Sequence, residues 1–111
     1  MRTRSLFGNF ELMVMLVLIR LGDGAYGVPV SRELEARTGR EVALGSVYAA
    51  LERLEAKGFV SSTLGEPTAE RGGRAKRYFR VTAQGLSEVR ASRRILTMLW
   101  RNVPALERGV L

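Results

Sequence analysis

The chain has 111 residues, a length that supports one domain with a single modest core. Eighteen Lys and Arg against eleven Asp and Glu leave a net charge of +7, which points to a polyanionic partner, either nucleic acid or an anionic membrane surface; the plainer reading is a charged surface kept for solubility. Cysteine and histidine are both absent, which excludes disulfides, thiol nucleophiles, Ser-His and Cys-His pairs and the usual zinc sites.

Residues 6–21 read as a first helix. Arg2, Arg4 and the apolar run from Leu12 to Ile19 imitate a secretory signal. Glu11 inside the run, Arg20 closing it and a poor cleavage sequence after it argue for a buried helix instead. The run also falls short of the roughly 20 apolar residues that span a bilayer. A helix apolar nearly all round needs cover on several sides, part of it from a second subunit. Gly22-Asp-Gly-Ala-Tyr-Gly27 is a turn by composition. Its Gly-x-Gly-x-x-Gly string matches a dinucleotide fingerprint, but no acidic residue ends the next candidate strand near Val42, and the chain is too short for paired βαβ halves.

A second helix is predicted over 28–38, with Pro29 in its first turn, Val30 and Leu34 facing inward and Gly39 as its stop. The third, over 44–57, has two faces. Leu44, Val47, Leu51 and Leu54 share one stripe and are expected to be buried. Ser46, Tyr48, Ala49, Glu52 and Arg53 make an outer face of small, hydroxyl-bearing and charged side chains, and Gly58 closes the helix in a left-handed cap. Strands are predicted at 59–65 and 76–82. Between Arg71 and Arg80 stand Arg71, Arg74, Lys76, Arg77 and Arg80 with no acidic residue among them. Standing alone such a run is a solvated face; on a Gly72-Gly73 hairpin beside a slim helix, its cations can reach phosphates. A fourth helix, 83–102, is capped by Thr82 and ended by Pro104. Its residues Leu86, Val89, Leu96, Trp100 and Val103 alternate at three and four, close to a coiled-coil seam, with Arg93 interrupting. Met13, Met15 and Met98 read as core or interface filler, and Trp100 as a dimer contact that could also stack a planar effector.

The order helix, helix, helix, hairpin, helix fits a mainly α fold with a small β-hairpin. Pattern alone leaves two options open, a winged helix-turn-helix and an unrelated small α+β domain. The combined motifs then narrow the choice: Glu11-Leu-Met-Val-Met-Leu-Val-Leu, Ala25-Tyr-Gly27, Gly45-Ser-Val-Tyr48 continuing to Lys57-Gly58, Gly72-Gly-Arg74, Arg77-Tyr78 and Thr82-x-x-Gly85. Over about residues 6–100 the chain resembles the PadR family of bacterial transcriptional regulators, in its compact subgroup. The resemblance implies a winged helix-turn-helix domain over 1–82 and a dimerisation helix and tail over 83–111. It implies a cytoplasmic homodimer, usually a repressor, on double-stranded DNA, with no enzyme activity, no cofactor and no metal. By position, it assigns DNA contact to Ser46, Tyr48, Ala49, Arg53, Arg74, Lys76 and Arg77, and the dimer contact to Leu86, Val89, Leu96, Trp100 and Val103. A small-molecule effector at the dimer interface is compatible with it. One departure is that Ala43 and Leu44 stand where the family often has a Ser-Pro pair, so a hydroxyl cap on helix three is missing. The alternatives are a winged-helix module that docks proteins without specific DNA binding, and a surface-bound membrane protein using Arg2, Arg4 and helix one.

Overall fold

The computed structural model describes residues 7–65 and 76–107. In chain order these form α1 (Asn9–Leu21), a 3-10 turn (Gly22–Gly24), α2 (Gly27–Thr38), α3 (Leu44–Ala56), β1 (Val60–Leu64), β2 (Arg77–Val81), α4 (Ala83–Trp100) and a four-residue α5 (Pro104–Glu107). The strands pair antiparallel, with Val60 opposite Val81, Ser62 opposite Phe79 and Leu64 opposite Arg77. On its other edge β2 donates from Phe79 N to Ala25 O at 2.8 Å, so the segment before α2 is stitched to the hairpin. This is a winged helix-turn-helix: α2 and α3 form the paired helices and the hairpin is the wing.

One core serves the whole unit. α1 contributes Val14, Met15, Val17 and Leu18, α2 contributes Val30 and Leu34, and α3 contributes Val47, Ala50, Leu51 and Leu54; Phe59, Val60, Phe79 and Val89 close it from the hairpin and α4. Burying a side chain of this kind is worth about 1.5–3 kcal/mol, and this shared core fixes the three helices relative to one another. Leu44 corrects the sequence reading: it is the first residue of α3 and is exposed, so the buried stripe begins at Val47. The turn between α2 and α3 is held by Ser31 Oγ donating to Val42 O at 3.0 Å and Val42 N donating to Glu35 Oε2 at 2.8 Å.

The caps follow the sequence closely. Gly39 and Gly58 take φ of +72° and +84°, left-handed values that favour glycine. Thr82 caps α4, its Oγ1 accepting from Gly85 N at 3.0 Å and donating to Gly58 O at 2.8 Å. α4 stops at Trp100, two residues earlier than predicted, and Asn102 turns the chain at φ +55°. The residue type fits, since asparagine tolerates this region. Pro104 then opens α5 instead of ending α4, in keeping with proline's fitness for a first helical position.

Candidate nucleic-acid interface

α3 presents the residues that the sequence singled out on its outer side. Ser46, Ala49 and Arg53 follow at three and four and are all exposed, so they line one face. No side chain caps the helix: Ala43 stands at the N-cap in extended backbone, and the amides of the first turn lack a side-chain acceptor. A shallow depression of about 350 Å³ runs along this flank between Phe10 of α1, Val42 and the Ser46–Ala49–Arg53 face.

Tyr48 lies toward α2, 37 % exposed. A Cβ at Gly27 would overlap its ring, with Tyr48 Cε2 at 2.6 Å. The Tyr-Gly turn thus has a packing reason: only a glycine at position 27 leaves room for Tyr48 beside the start of α2. Tyr26, its neighbour in that turn, meets Tyr78 of β2 edge-on with ring centroids 5.5 Å apart, and Lys76 Nζ sits 5.2 Å from the centre of the Tyr26 ring. The base of the wing is therefore anchored on the helix-turn-helix by two aromatic rings and a cation.

The wing cations do not share one face. Side chains alternate along β2, so Lys76, Tyr78 and Arg80 lie on one side and Arg77 and Phe79 on the other. Arg80 pairs with Asp23 at 3.1 Å, both side chains exposed, an arrangement worth little to stability. Arg77 Nη1 donates to Ser62 Oγ at 3.0 Å, and Ser62 Oγ donates to Glu55 Oε2 at 2.7 Å, which ties the wing to the end of α3. Arg71 and Arg74 lie outside the described residues.

Arg53 has a partner that the sequence reading did not assign. Its Nε donates to Glu11 Oε2 at 2.8 Å, and Lys57 Nζ reaches Glu11 Oε1 at 3.1 Å. Glu11 is 7 % exposed, whereas both cations remain partly in solvent. Burial pushes the Glu11 carboxyl up. The hydrogen bonds from Arg53 and Lys57, the charge of Lys57 and a bond from the Gly8 backbone outweigh it and leave the carboxyl below the usual glutamate range. Glu11 is the third residue of α1 after its cap Gly8, the position from which a glutamate reaches back to the cap amide. The available signal was a lone carboxylate in an apolar helix, which has to find cations when that helix is buried.

The seam residues divide in two. Val89 is spent in this chain's own core and Leu86 and Val103 are half-buried, whereas Leu96 and Trp100 are exposed. Trp100 is joined on the last turns of α4 by Met98 and Leu99, these three 64–68 % exposed. Between α4 and α1 runs a groove of about 820 Å³ lined by Leu12, Leu16, Val89, Leu96 and Trp100, with Arg90, Arg93 and Arg101 also contributing to its walls. No helix among the described residues is long and apolar enough to cross a membrane.

Comparison with known proteins matches this architecture. Among solved structures, a PadR-like transcriptional regulator from Bacillus cereus is 23 % identical, covering 91 % of this chain and 93 % of its own, at a TM-score of 0.70. A PadR family regulator from Eggerthella lenta is 28 % identical over 88 % of this chain and 83 % of its own, at 0.66. One from Clostridium difficile is 20 % identical over 83 % and 91 %, at 0.69. A search of curated proteins found no match. The family model described as the transcriptional regulator PadR-like family matches residues 15–91, from the middle of α1 through the wing into α4, and the chain belongs to that family.

Proposed function

We propose that this PadR-family regulator is a cytoplasmic homodimer that binds a near-palindromic operator and represses transcription. α3 of each subunit enters one major groove, with half-sites about one helical turn, roughly 34 Å, apart. The observation that carries the reading is the exposed Ser46–Ala49–Arg53 face of α3, small in its first half and cationic at Arg53, beside a wing whose Lys76 is anchored at its base. Ser46 and Tyr48 bond phosphates, Ala49 leaves room for close approach to the bases, and Arg53 contacts phosphate or guanine. Lys76, Arg77 and Arg74 supply salt-dependent affinity from the wing.

Dimerisation is supported by the last turns of α4. Ile95, Leu96, Met98, Leu99 and Trp100 all face solvent on a single chain, a contiguous apolar surface of the kind that marks an interaction site. In the dimer Leu86, Val89, Leu96, Trp100 and Val103 form or support the seam, and residues 83–111 act as the dimerisation element. A small effector that stacks on Trp100 at that seam shifts DNA affinity only by binding one spacing of the two α3 helices better than the other.

Fluorescence anisotropy tests the reading, with the duplex upstream of the chain's own gene and a scrambled duplex compared across a salt series. The expected result is tight binding to the upstream duplex, much weaker binding to the scramble and a steep fall with salt. No binding to either at low salt refutes it and moves a protein-docking role for the winged helix to the front.

A further inference from the structure

Glu11 is the one deeply buried carboxylate among the described residues, and it belongs to α1, not to the helix that carries the outer face. Its two partners, Arg53 and Lys57, both come from α3. Arg53 shares its face with Ser46 and Ala49, four residues beyond Ala49. It gives Nε to the carboxylate while its side chain stays 54 % exposed. A guanidinium held at Nε keeps a planar fork with other N–H groups to offer. Its orientation is then set by a buried anchor instead of by a flexible stem.

We infer that Glu11 is a positioning residue for DNA recognition: it aims Arg53 along the outer face of α3 and withholds the charges of Arg53 and Lys57 from non-specific phosphate contact. The inference rests on the DNA-binding reading above. Two consequences are opposite in sign. An Arg whose direction is fixed discriminates between bases, a contact worth about 1–3 kcal/mol for a good bidentate pair. A carboxylate beside two cations also cancels part of the positive charge on that face, which lowers attraction to any duplex. Removing the negative charge therefore costs specificity while raising non-specific affinity. Merely weakening the fold would lower both affinities together.

The experiment uses the full chain with Glu11→Gln, Arg53→Ala and the double variant, titrated against the upstream and scrambled duplexes over a salt series, with thermal melts run alongside. In Glu11→Gln the ratio of upstream to scrambled affinity is expected to fall about tenfold. Binding to the scramble tightens, and the log-log salt slope steepens by about one per subunit as a freed cation takes a phosphate. In the Arg53→Ala background, Glu11→Gln leaves the ratio unchanged, because the two residues act through one contact. Glu11→Asp, with its shorter reach, keeps the charge and restores the salt slope without restoring the ratio fully. A parallel loss on both duplexes, or an unchanged ratio in Glu11→Gln, overturns the inference while leaving the DNA reading in place. Wild-type protein that binds neither duplex overturns both.

Discussion

Gly85→Ala is expected to be among the most damaging single-methyl additions to this fold. Gly85 is the third residue of α4 and donates its amide to the capping hydroxyl of Thr82. A Cβ placed there would overlap the Phe59 carbonyl oxygen and stand 3.0 Å from Met15 Cε. Methionine can swing aside; the carbonyl cannot, since it is backbone and already accepts from Thr82 N at 3.1 Å. Relief requires α4 to back away from Phe59, which strains the Thr82–Phe59 bond, worth about 1 kcal/mol, and the cap, worth about another. Overpacking adds roughly 1–3 kcal/mol, and the better helix propensity of alanine returns about 1. The net loss is about 2–4 kcal/mol. At roughly 4–8 °C per kcal/mol for a domain near this size, the melting temperature drops on the order of 10–30 °C. Gly27→Ala is the control. Its Cβ strikes the partly exposed ring of Tyr48, which can rotate into solvent, so stability changes by less than about 1 kcal/mol while the Tyr48 hydroxyl leaves its place and DNA affinity falls. Circular-dichroism melts and anisotropy on both variants separate the two. A Gly85→Ala protein that melts within about 2 °C of wild type would falsify the steric reasoning.

Arg77→Ala and Arg74→Ala are each expected to weaken binding to upstream and scrambled DNA alike and to flatten the salt slope by about one; unchanged affinity in both removes the wing from the mechanism. Trp100→Ala should raise the dimer dissociation constant at least tenfold in sedimentation equilibrium, as loss of a large interface aromatic does, with little change in the melting of the monomer because Trp100 makes no part of its core. For Glu11 the folded carboxyl lies below its ordinary value, so its stabilisation is complete above the unfolded value of about 4.3 and is lost as pH falls through the folded one. Burial opposes this lowering, and the hydrogen bonds from Arg53, Lys57 and the Gly8 backbone, with the charge of Lys57, outweigh it. The melting-temperature gap between wild type and Glu11→Gln should therefore hold from pH 7 to 5 and shrink progressively once pH falls below the unfolded value of about 4.3; a gap that widens on acidification contradicts the assignment.

Much of the fold could be read in advance because its punctuation is local. Gly39, Gly58 and Thr82 act within a turn of where they stand, and a left-handed glycine or a capping hydroxyl does the same work in any tertiary setting. The buried stripe of α3 was legible from spacing except at Leu44, whose exposure at the first position of the helix is a matter of tertiary packing that periodicity does not carry. The outer face of α3 was legible for the complementary reason: a stripe that cannot be core has to face outward. Long-range partners were not legible. Arg53 and Glu11 are 42 residues apart, and no periodicity within α3 could tell a solvated arginine from one bound at Nε. Likewise Gly27 read as a turn residue, when its place is set by a ring 21 positions later in the chain. The run of cations near the wing read as one patch, but strand alternation sends Arg77 and Lys76 to opposite sides, and Arg80 is matched with Asp23.

α1 is where these threads meet. Along one flank Glu11 holds Arg53 and Lys57 of α3; along another, Leu12 and Leu16 line the groove with Leu96 and Trp100 of α4. Between them Val14, Met15 and Leu18 pack in the core shared with Val47, Leu51 and Leu54 of α3, and close packing of that core ties the two helices together. In the proposed dimer the partner covers the groove flank, and repacking there moves α1 and α3 together as long as their shared core holds. Glu11 bonds Arg53 at 2.8 Å, and a displacement of about 1 Å lengthens such a bond beyond its useful range. The core that ties α1 to α3 therefore protects the Glu11–Arg53 bond, and with it the aim proposed for Arg53, against repacking at the proposed seam.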